Sequence, residues 1–253
     1  MNMAILIPSF DKYSFVWPMF FEFFKRNWGD CTFPVYLGTN FKSADLDWVT
    51  DVKIGQDTTW GLKVSKMLDQ IQEEYVMIVL EDFFIVEKVE NNVIEGAVKF
   101  MQANNIDCLG LHACPKPLNK VKNGIDVWGE IQPGEPYRIN AQVSIWKKSS
   151  LLKILRPKFS PWDFEGYGDV IARKNKLSIW GSYKPIIFYK QAIGRGKWFR
   201  DIVAICEAIG INYNFDEIGY YEPGACKVTL KNLIKSKLKP LLLPLLAMWK
   251  ARH

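Results

Sequence analysis

The sequence predicts an α/β fold with a mixed, mainly parallel central sheet flanked by helices. Residues 76–80 (VMIVL) form an uninterrupted apolar run rich in β-branched types. Such a run is typical of a strand buried on both faces of a parallel sheet. Strand and helix patterns alternate through the first hundred residues, as in α/β proteins. Residues 137–148 instead alternate between apolar and polar types, which predicts an antiparallel or edge strand.

The predicted elements follow one another with short connections. Residues 3–8 form the first strand, and Asp11 or Ser14 caps a following helix whose aromatic residues recur between 15 and 28. Further strands are predicted at 33–40, 51–56, 75–80, 107–114 and 185–189. Further helices are predicted at 61–73, 91–103, 149–155, 167–175 and 198–209.

The composition is that of one packed domain followed by a basic tail. Residues 1–226 contain no low-complexity segment, internal repeat or Gly/Ser-rich linker, so we assign them to a single domain. The first ten residues have no basic region and reach Pro8 after a short apolar stretch, which predicts a strand and not a signal peptide. Five cysteines at scattered spacings favour free thiols in a reducing compartment.

The tail, residues 227–253, carries the positive charge of the chain. The net charge is +6, yet seven Lys and Arg residues and no acid lie in the tail, so the remainder is close to neutral. This distribution argues against a nucleic-acid-binding body. Four aliphatic residues recur at helical spacing among the lysines: Leu230, Leu233, Ile234 and Leu238. A basic amphipathic segment predicts binding to an anionic membrane surface. The alternative is a helix packed on the body or on a second subunit.

Two familiar nucleotide-binding loops are missing from the sequence. No GxGxxG follows the first strand, and no GxxxxGK[ST] occurs anywhere. A Rossmann dehydrogenase, a P-loop enzyme and a Rossmann-type methyltransferase are therefore disfavoured. The lack of a CxxC pair and the terminal position of His253, one of two histidines, argue against a zinc site.

Polar residues follow the two strands that we expect near the centre of the sheet. The run at 76–80 ends in Glu81 and Asp82. Three residues follow the first strand: Asp11, Lys12 and Tyr13. Ligands of open α/β sheets bind just outside the carboxyl ends of the strands. These side chains therefore predict a site for a nucleotide and, through Asp82, for a divalent cation on oxygen ligands. The alternatives are an ordinary polar loop with a helix cap and an acidic pair that merely enters solvent.

The segment 160–169 (SPWDFEGYGD) combines carboxylates with aromatic rings: Asp163, Glu165, Asp169, Trp162 and Tyr167. Aromatic faces stack on sugar rings, and a partly buried carboxylate has a raised pKa that suits a general base. We expect its glycines to allow tight turns. The alternative is a helix N-terminus with favourable acids in its first turn.

The segment 193–198 (IGRGKW) presents Arg195 and Lys197 beside glycines that let backbone N–H groups approach an anion. It suits a pyrophosphate or a leaving nucleoside diphosphate. A basic surface loop is the alternative.

Taken in order, these segments resemble bacterial glycosyltransferases with the GT-A fold, of the kind found in capsule and lipopolysaccharide loci. The resemblance covers most of residues 3–200. It rests on PSFDKYSFVWPMFFEFFKRNW, FPVYLGTN, TTWGLKVSKMLDQIQEEYVMIVLEDFFI, YRINAQVSIWKKSSLLKIL and SPWDFE. It implies a nucleotide-sugar donor and transfer of the sugar to a hydroxyl of a glycan or lipid-linked acceptor. With the basic tail, this implies a cytoplasmic protein that is peripheral on the inner face of the membrane.

The resemblance also assigns roles to side chains. The acidic motif of the family usually reads DxD, and the matching triplet here keeps only its final carboxylate, Asp82. Either Mg²⁺ or Mn²⁺ at Asp82, or Arg195 with Lys197, would then offset the diphosphate charge. For the base of an inverting transfer, Glu165 is the first choice and Asp163 the second. The implied donor-binding residues are Asp11, Lys12, Tyr13, Trp60, Lys66, Glu81, Asp82, Arg195 and Lys197. The implied acceptor-binding residues are Trp162, Tyr167 and Gln142.

Two other functions remain open at this point. One is a non-catalytic carbohydrate- or nucleotide-binding protein on the same scaffold, which has no use for a positioned base. The other is a nucleotidyltransferase, which would need a basic Gly-rich loop near its N-terminus.

Overall fold

The computed structural model describes residues 2–56, 58–118 and 127–221, and within them eight strands form the central sheet. The strands in chain order are β1 (Met3–Pro8), β2 (Val35–Thr39), β3 (Val49–Lys53), β4 (Tyr75–Ile78), β5 (Phe83–Ile85), β6 (Cys108–Gly110), β7 (Trp128–Glu130), β8 (Ser144–Lys147), β9 (Ile179–Ser182), β10 (Tyr189–Gln191), β11 (Ile193–Gly194) and β12 (Lys197–Trp198). The helices are α1 (Trp17–Trp28), α2 (Trp60–Leu68), α3 (Asn91–Ala103), α4 (Lys148–Ile154), α5 (Pro161–Lys174) and α6 (Arg200–Ala208).

The central sheet has a parallel half and a mixed half. Strands β3, β2, β1 and β4 lie side by side and are all parallel. Strand β8 then pairs antiparallel with both β4 and β6, while β9 is parallel to β6 and β7 antiparallel to β9. The predicted mixed, mainly parallel α/β sheet is confirmed. Residues 137–148 were predicted to form an antiparallel or an edge strand: the antiparallel alternative is confirmed, and β8 lies between two strands and not at an edge.

Helices cover both faces of the sheet, and β1 shows why. Met3, Ile5 and Ile7 belong to a core cluster shared with α1, α3 and α6. Ala4 and Leu6 belong to a second cluster shared with α2, α4 and α5. Because alternate residues of a strand point to opposite faces, a strand covered on both sides must be apolar throughout. This is the property that makes β1 and β4 recognisable in the sequence.

Helix α5 begins at Pro161, six residues before the predicted start. Ser160 caps it: its hydroxyl accepts from the Asp163 amide, and the Asp163 carboxylate accepts from the Ser160 amide. This capping box and a proline in the first turn are a strong start signal. The prediction of tight turns at Gly166 and Gly168 is wrong, because both residues are helical. A Cβ on Gly168 would lie 2.6 Å from Ile139 Cγ2, so its role is close packing.

Other differences concern short elements. Strand β6 is shorter than predicted, and β7 and β9 were not predicted. The strand predicted at 185–189 begins at the last of those residues, as β10. Neither Asp11 nor Ser14 caps α1, because the residue before its first turn is Val16, without a side-chain bond to the helix.

The described residues contain no helix that combines the length and the apolar character needed to cross a bilayer. The predicted tail at 227–253 and the predicted domain end at residue 226 lie outside the described residues.

Candidate functional site

A cleft of about 650 Å³ opens at the carboxyl ends of β1 and β4. The two strands are parallel neighbours, and the Val79 amide extends their pairing by donating to the Leu6 carbonyl at 3.0 Å. Their ends therefore meet at one edge. The cleft is lined by Pro8, Ser9, Phe10, Tyr13, Trp60, Lys63, Val64, Met67, Leu80, Glu81, Asp82, Phe83, Ala141, Gln142, Pro161, Trp162, Glu165, Gln191, Ile193, Arg195 and Gly196. Its volume is that of a typical small-molecule site.

Two adjacent carboxylates form part of the cleft wall. Glu81 is buried, and burial together with the neighbouring Asp82 raises its pKa to about 8, against a hydrogen bond from Ser9 and the Lys63 charge. Burial also raises the pKa of Asp82 to about 6, although Gln191 Nε2 donates to Asp82 Oδ2 at 3.2 Å. A raised carboxyl pKa means that the charged form is under-compensated. The pair would gain from a cation.

The donor set suits a hard divalent ion that is shared with a phosphate. Among the described residues, no group of three or more His, Cys, Asp and Glu side chains could hold a metal. Mg²⁺ characteristically binds through one or two carboxylates, several waters and substrate phosphates, and does not need a cage of protein ligands. Mn²⁺ prefers the same oxygen ligands. Asp82 and Glu81 fit such an ion only together with a phosphate-bearing ligand.

Of the residues that follow β1, some hold a neighbouring loop in place and others line the cleft. The Asp11 carboxylate accepts from the backbone amides of Asn40, Phe41 and Lys42, at 2.9 Å for Asn40. The Asn40 side chain accepts in return from the Asp11 amide at 3.0 Å. Asp11 therefore ties the ends of β1 and β2 together. Of the predicted donor residues 11–13, the structure brings Tyr13 into the cleft lining, and leaves Asp11 and the exposed Lys12 outside it.

Helix α2 presents a different lysine from the predicted one. Trp60, Lys63, Val64 and Met67 line the cleft, and their spacing of three and four residues is that of one helix face. Trp60 was predicted there. Lys66 is exposed and does not belong to the cleft lining. Sequence reasoning missed Lys63, although counting the helix face from Trp60 would have found it.

On helix α5, only some of the predicted acidic and aromatic residues face the cleft. Trp162 and Glu165, one turn apart, line the cleft; the Trp162 side chain is 77% exposed. Glu165 Oε1 accepts from the Ala141 amide at 3.0 Å. Asp163 and Tyr167 do not belong to the lining: Asp163 makes the capping box, and the Tyr167 ring lies 6.1 Å from that of Phe159.

Asp169, the last acid of that segment, is held in a structural network. Arg138 Nη1 donates to its carboxylate at 2.8 Å, and the Gly134 amide donates at 3.2 Å. The Arg138 side chain is almost fully buried. This network fixes the chain before Ala141 against α5, and so fixes the position of the Glu165 partner.

A hairpin next to the acidic pair contributes to the cleft lining. Strands β11 and β12 are joined by Arg195 and Gly196, which both have positive φ, 52° and 77°. Two such residues are typical of a type I′ turn. Both line the cleft, whereas the exposed Lys197 does not. The Ala192 amide donates to the Asp82 carbonyl at 2.6 Å, which anchors the hairpin to the acidic pair.

Gln142 lies in the cleft, as predicted, and is held from behind. Its Oε1 accepts from the Tyr189 hydroxyl. The Tyr189 ring stacks on Phe83, with centroids 4.3 Å apart and planes at 17°. This stack links β10 to β5, the strand that follows the acidic pair.

Comparison with solved structures identifies the fold. The crystal structure of S. aureus TarS residues 1–349 superposes with a TM-score of 0.51 at 13% identity, covering 76% of this chain and 61% of that one. The same fragment in complex with UDP-GlcNAc gives a TM-score of 0.51 at 14% identity, with 77% and 60% covered. The CMP:2-keto-3-deoxy-manno-octonic acid synthetase complexed with CTP gives a TM-score of 0.48 at 10% identity, with 83% and 98% covered. No protein-family model and no curated protein sequence matches.

The class that these observations define is a GT-A-like α/β fold with a cleft at the carboxyl ends of its central strands. The chain spans about 61% of the TarS fragment that it resembles.

The acidic pair predicts a pH-dependent stability. The pKa of Glu81 is raised from its ordinary 4.5 to about 8, so the folded chain holds that proton more tightly than the unfolded chain does. The stabilisation is fully present below pH 4.5 and is lost as the pH rises through about 8. Glu81→Gln should remove this loss, whose slope is at most about 1.4 kcal/mol per pH unit. The measurement is the free energy of urea unfolding from pH 5 to 8.5, without divalent ions.

The matched control is Glu87→Gln, which removes an exposed carboxylate six positions along the chain. Asp82 and His112 also have shifted pKa values, so the informative quantity is the difference between wild type and Glu81→Gln at each pH. A difference that stays constant between pH 6.5 and 8 would contradict a raised pKa for Glu81.

Proposed function

We propose that this protein is a glycosyltransferase that moves a sugar from a nucleotide-sugar donor to a hydroxyl of a glycan or lipid-linked acceptor. The observation that carries the proposal is that one cleft is lined by two chemically different sets of side chains. One set is the acidic pair after β4, Glu81 and Asp82, with Arg195 on the hairpin that is anchored to Asp82, and it suits a metal-bound diphosphate. The other set is on α5, where Glu165 follows the exposed ring of Trp162 by one helical turn. The fold it shares with a TarS fragment complexed with UDP-GlcNAc supports a nucleotide-sugar donor.

On the donor side, Tyr13 and Phe10 offer ring faces for a nucleotide base, with centroids 4.8 Å apart. Mg²⁺ or Mn²⁺, when bound through Asp82, would supply positive charge to the diphosphate. Arg195 approaches the same region from the hairpin tip and stabilises a departing anion. The neighbouring Glu81, whose pKa is raised to about 8, holds its proton near neutral pH and would release it when the cation binds.

On the acceptor side, Glu165 is the base. The amide of Ala141 holds one carboxylate oxygen, and the carboxylate borders the open cleft. In an inverting transfer, the acceptor oxygen bonds to the anomeric carbon while the bond from that carbon to the diphosphate breaks. Glu165 takes the hydroxyl proton, and the nucleoside diphosphate leaves with the electron pair. Trp162 stacks on the acceptor sugar, and Gln142 donates to one of its oxygens.

The two other candidate functions are less well supported by the same residues. A binding module gains nothing from a carboxylate that is positioned as a base, as Glu165 is by the Ala141 amide. A nucleotidyltransferase needs a basic Gly-rich loop near its N-terminus, whereas residues 9–13 after β1 (SFDKY) contain no glycine and one lysine, Lys12, which lies outside the cleft lining. The cations of the described cleft lining come from α2 and from the hairpin.

The donor is tested with a thermal-shift panel of UDP-, GDP-, CMP- and dTDP-sugars, with Mn²⁺ or with EDTA. One nucleotide should stabilise the protein, by about 2.7 kcal/mol at a concentration 100 times its Kd. Asp82→Ala should abolish the Mn²⁺-dependent part of the shift, because it removes the metal ligand. Asp47→Ala, at an exposed loop position, is the control. A wild-type panel without any response would count against the proposed function, and a response insensitive to EDTA would remove the metal from it.

The base is tested by comparing two amides. Glu165→Gln should lower turnover by about 10²–10⁴-fold, because a general base contributes that much, while the donor still binds. Asp163→Asn should affect stability instead, by about 0.3–1 kcal/mol, since it removes a charge from the first turn of α5. Turnover is measured as release of nucleoside diphosphate in the presence of acceptor. Near wild-type turnover in Glu165→Gln would rule that residue out, and a large loss in Asp163→Asn would transfer the role to it.

We further propose that residues 227–253 hold the protein on the cytoplasmic face of the membrane, near a lipid-linked acceptor of cell-surface polysaccharide such as capsule or lipopolysaccharide. Each Lys or Arg near an anionic leaflet contributes about 1 kcal/mol, and the tail has seven. Deleting the tail should abolish sedimentation with vesicles rich in anionic lipid and leave activity on a soluble acceptor. Vesicles of neutral lipid are the control. A truncated protein that still sediments would place the contact elsewhere on the chain.

A further inference from the structure

We propose that Lys63 binds the diphosphate of the donor directly, an inference that rests on the proposed function. Lys63 lies on α2 and lines the cleft between the end of β1 and the acidic pair. The sequence analysis named Lys66 on this helix instead. Among the described residues of the lining, the cationic ones are Lys63 and Arg195.

The surroundings of Lys63 are unusual for a lysine. The residue is 8% exposed, and lysines are rarely so buried unless they are paired. Its ammonium lies 4.2 Å from the centre of the Phe10 ring, and its charge acts on Glu81. An aromatic face and a carboxylate both stabilise a desolvated cation. The ammonium is therefore held in place at the cleft wall before any ligand arrives.

The charges of the cleft favour a ligand contact over a purely structural role. The lining carries two cations and three carboxyl groups, Glu81, Asp82 and Glu165, of which Glu81 is mostly protonated near neutral pH. A diphosphate would add further negative charge and therefore requires every cation within reach. A fixed ammonium in a partly dry site attracts an anion more strongly than a mobile surface lysine does, because the effective dielectric is lower. Arg195 is exposed at a hairpin tip, whereas Lys63 is set on a packed helix.

The packing of α2 fixes this position. Gly61 lies so close to the Arg156 carbonyl that a Cβ would collide with it, and the Gly61 amide donates to the Phe159 carbonyl at 2.8 Å. The helix cannot rotate about its axis without breaking these contacts. Lys63 therefore stays on the cleft face and Lys66 stays on the exposed one.

The test uses inorganic pyrophosphate as the probe, titrated calorimetrically into the full-length protein in EDTA. Lys63→Met keeps the length of the side chain and removes its charge. It should weaken pyrophosphate binding by about 10-fold or more, the loss expected for one charge-assisted hydrogen bond. UDP, GDP, CDP and dTDP should show the same loss for whichever of them binds, and the matching nucleoside should show none. Lys99→Met, on the exposed face of α3, is the matched control, and Lys66→Met tests the lysine first predicted.

A second variant separates ligand binding from neutralisation of Glu81. If Lys63 only balances the buried carboxylate, then Glu81→Gln combined with Lys63→Met should restore pyrophosphate binding, which would overturn the proposal. If Lys63 contacts the phosphate, the double variant stays weak. The double variant also serves if Lys63→Met alone fails to fold, since it buries no unpaired charge.

Three outcomes distinguish this inference from the proposed function. Unchanged pyrophosphate binding in a folded Lys63→Met protein overturns the role of Lys63, even if Glu165→Gln abolishes transfer. Wild type that does not bind pyrophosphate at millimolar concentration overturns it as well. Lysine-dependent pyrophosphate binding without any response to nucleotide sugars supports the Lys63 site and counts against glycosyl transfer.

Discussion

The pairing of β1 with β4 is the constraint on which the site depends. Both strands are buried on both faces, and their register aligns Leu6 with Ile78. A shift by one residue would exchange the two core faces along the whole strand, so packing fixes the register. The chain can turn polar only after the strands leave the core. Glu81 and Asp82 therefore follow β4 at the same edge where Ser9 and Phe10 follow β1.

Around this fixed edge, the cleft is assembled from distant parts of the chain by hydrogen bonds that backbone amides donate. Asp11 gathers the amides of residues 40–42 and joins the ends of β1 and β2. The Asp82 carbonyl accepts from Ala192 and draws in the hairpin. The Glu165 carboxylate accepts from Ala141 and ties α5 to the segment before β8. Two of these three links use side-chain carboxylates, those of Asp11 and Glu165, and the sequence alone shows only that these acids lie near the end of a strand or the start of a helix. A carboxylate has enough acceptor positions to brace a loop, so an acid at a strand end need not face the ligand.

The sequence was informative where one physical effect dominates. Two-sided burial made β1 and β4 visible, and the polar residues at their ends followed from it. The antiparallel strand β8 was visible by its alternation, yet its central place depends on pairings with β4 and β6 that no local pattern records. The short strands β7 and β9 carry too few residues for a periodicity. The start of α5 is encoded in the capping box of Ser160 and Asp163. The glycines that follow favour a turn in the sequence, whereas in the structure Gly168 allows close packing against Ile139. Which acids and lysines reach the cleft depended on helix register, and an error of a few residues in a helix start changes that answer.

The acidic pair also shows how stability and binding are linked in this fold. Burial raises the pKa of Glu81 to about 8 and that of Asp82 to about 6, so near neutral pH the unliganded cleft holds Glu81 mostly protonated and Asp82 with a poorly compensated charge. Apolar residues at the same positions would extend the core without that cost. Lys63 and Ser9 offset part of it for Glu81. A ligand that brings its own cation would offset the remaining cost of burying the two carboxylates. This gain in free energy would appear as affinity for the cation and its phosphate partner together. A diphosphate without the cation would meet the Asp82 charge with only Lys63 and Arg195 of the described lining to offset it. Metal and donor should therefore bind cooperatively, with the coupling originating in the two carboxylates that end the central strand.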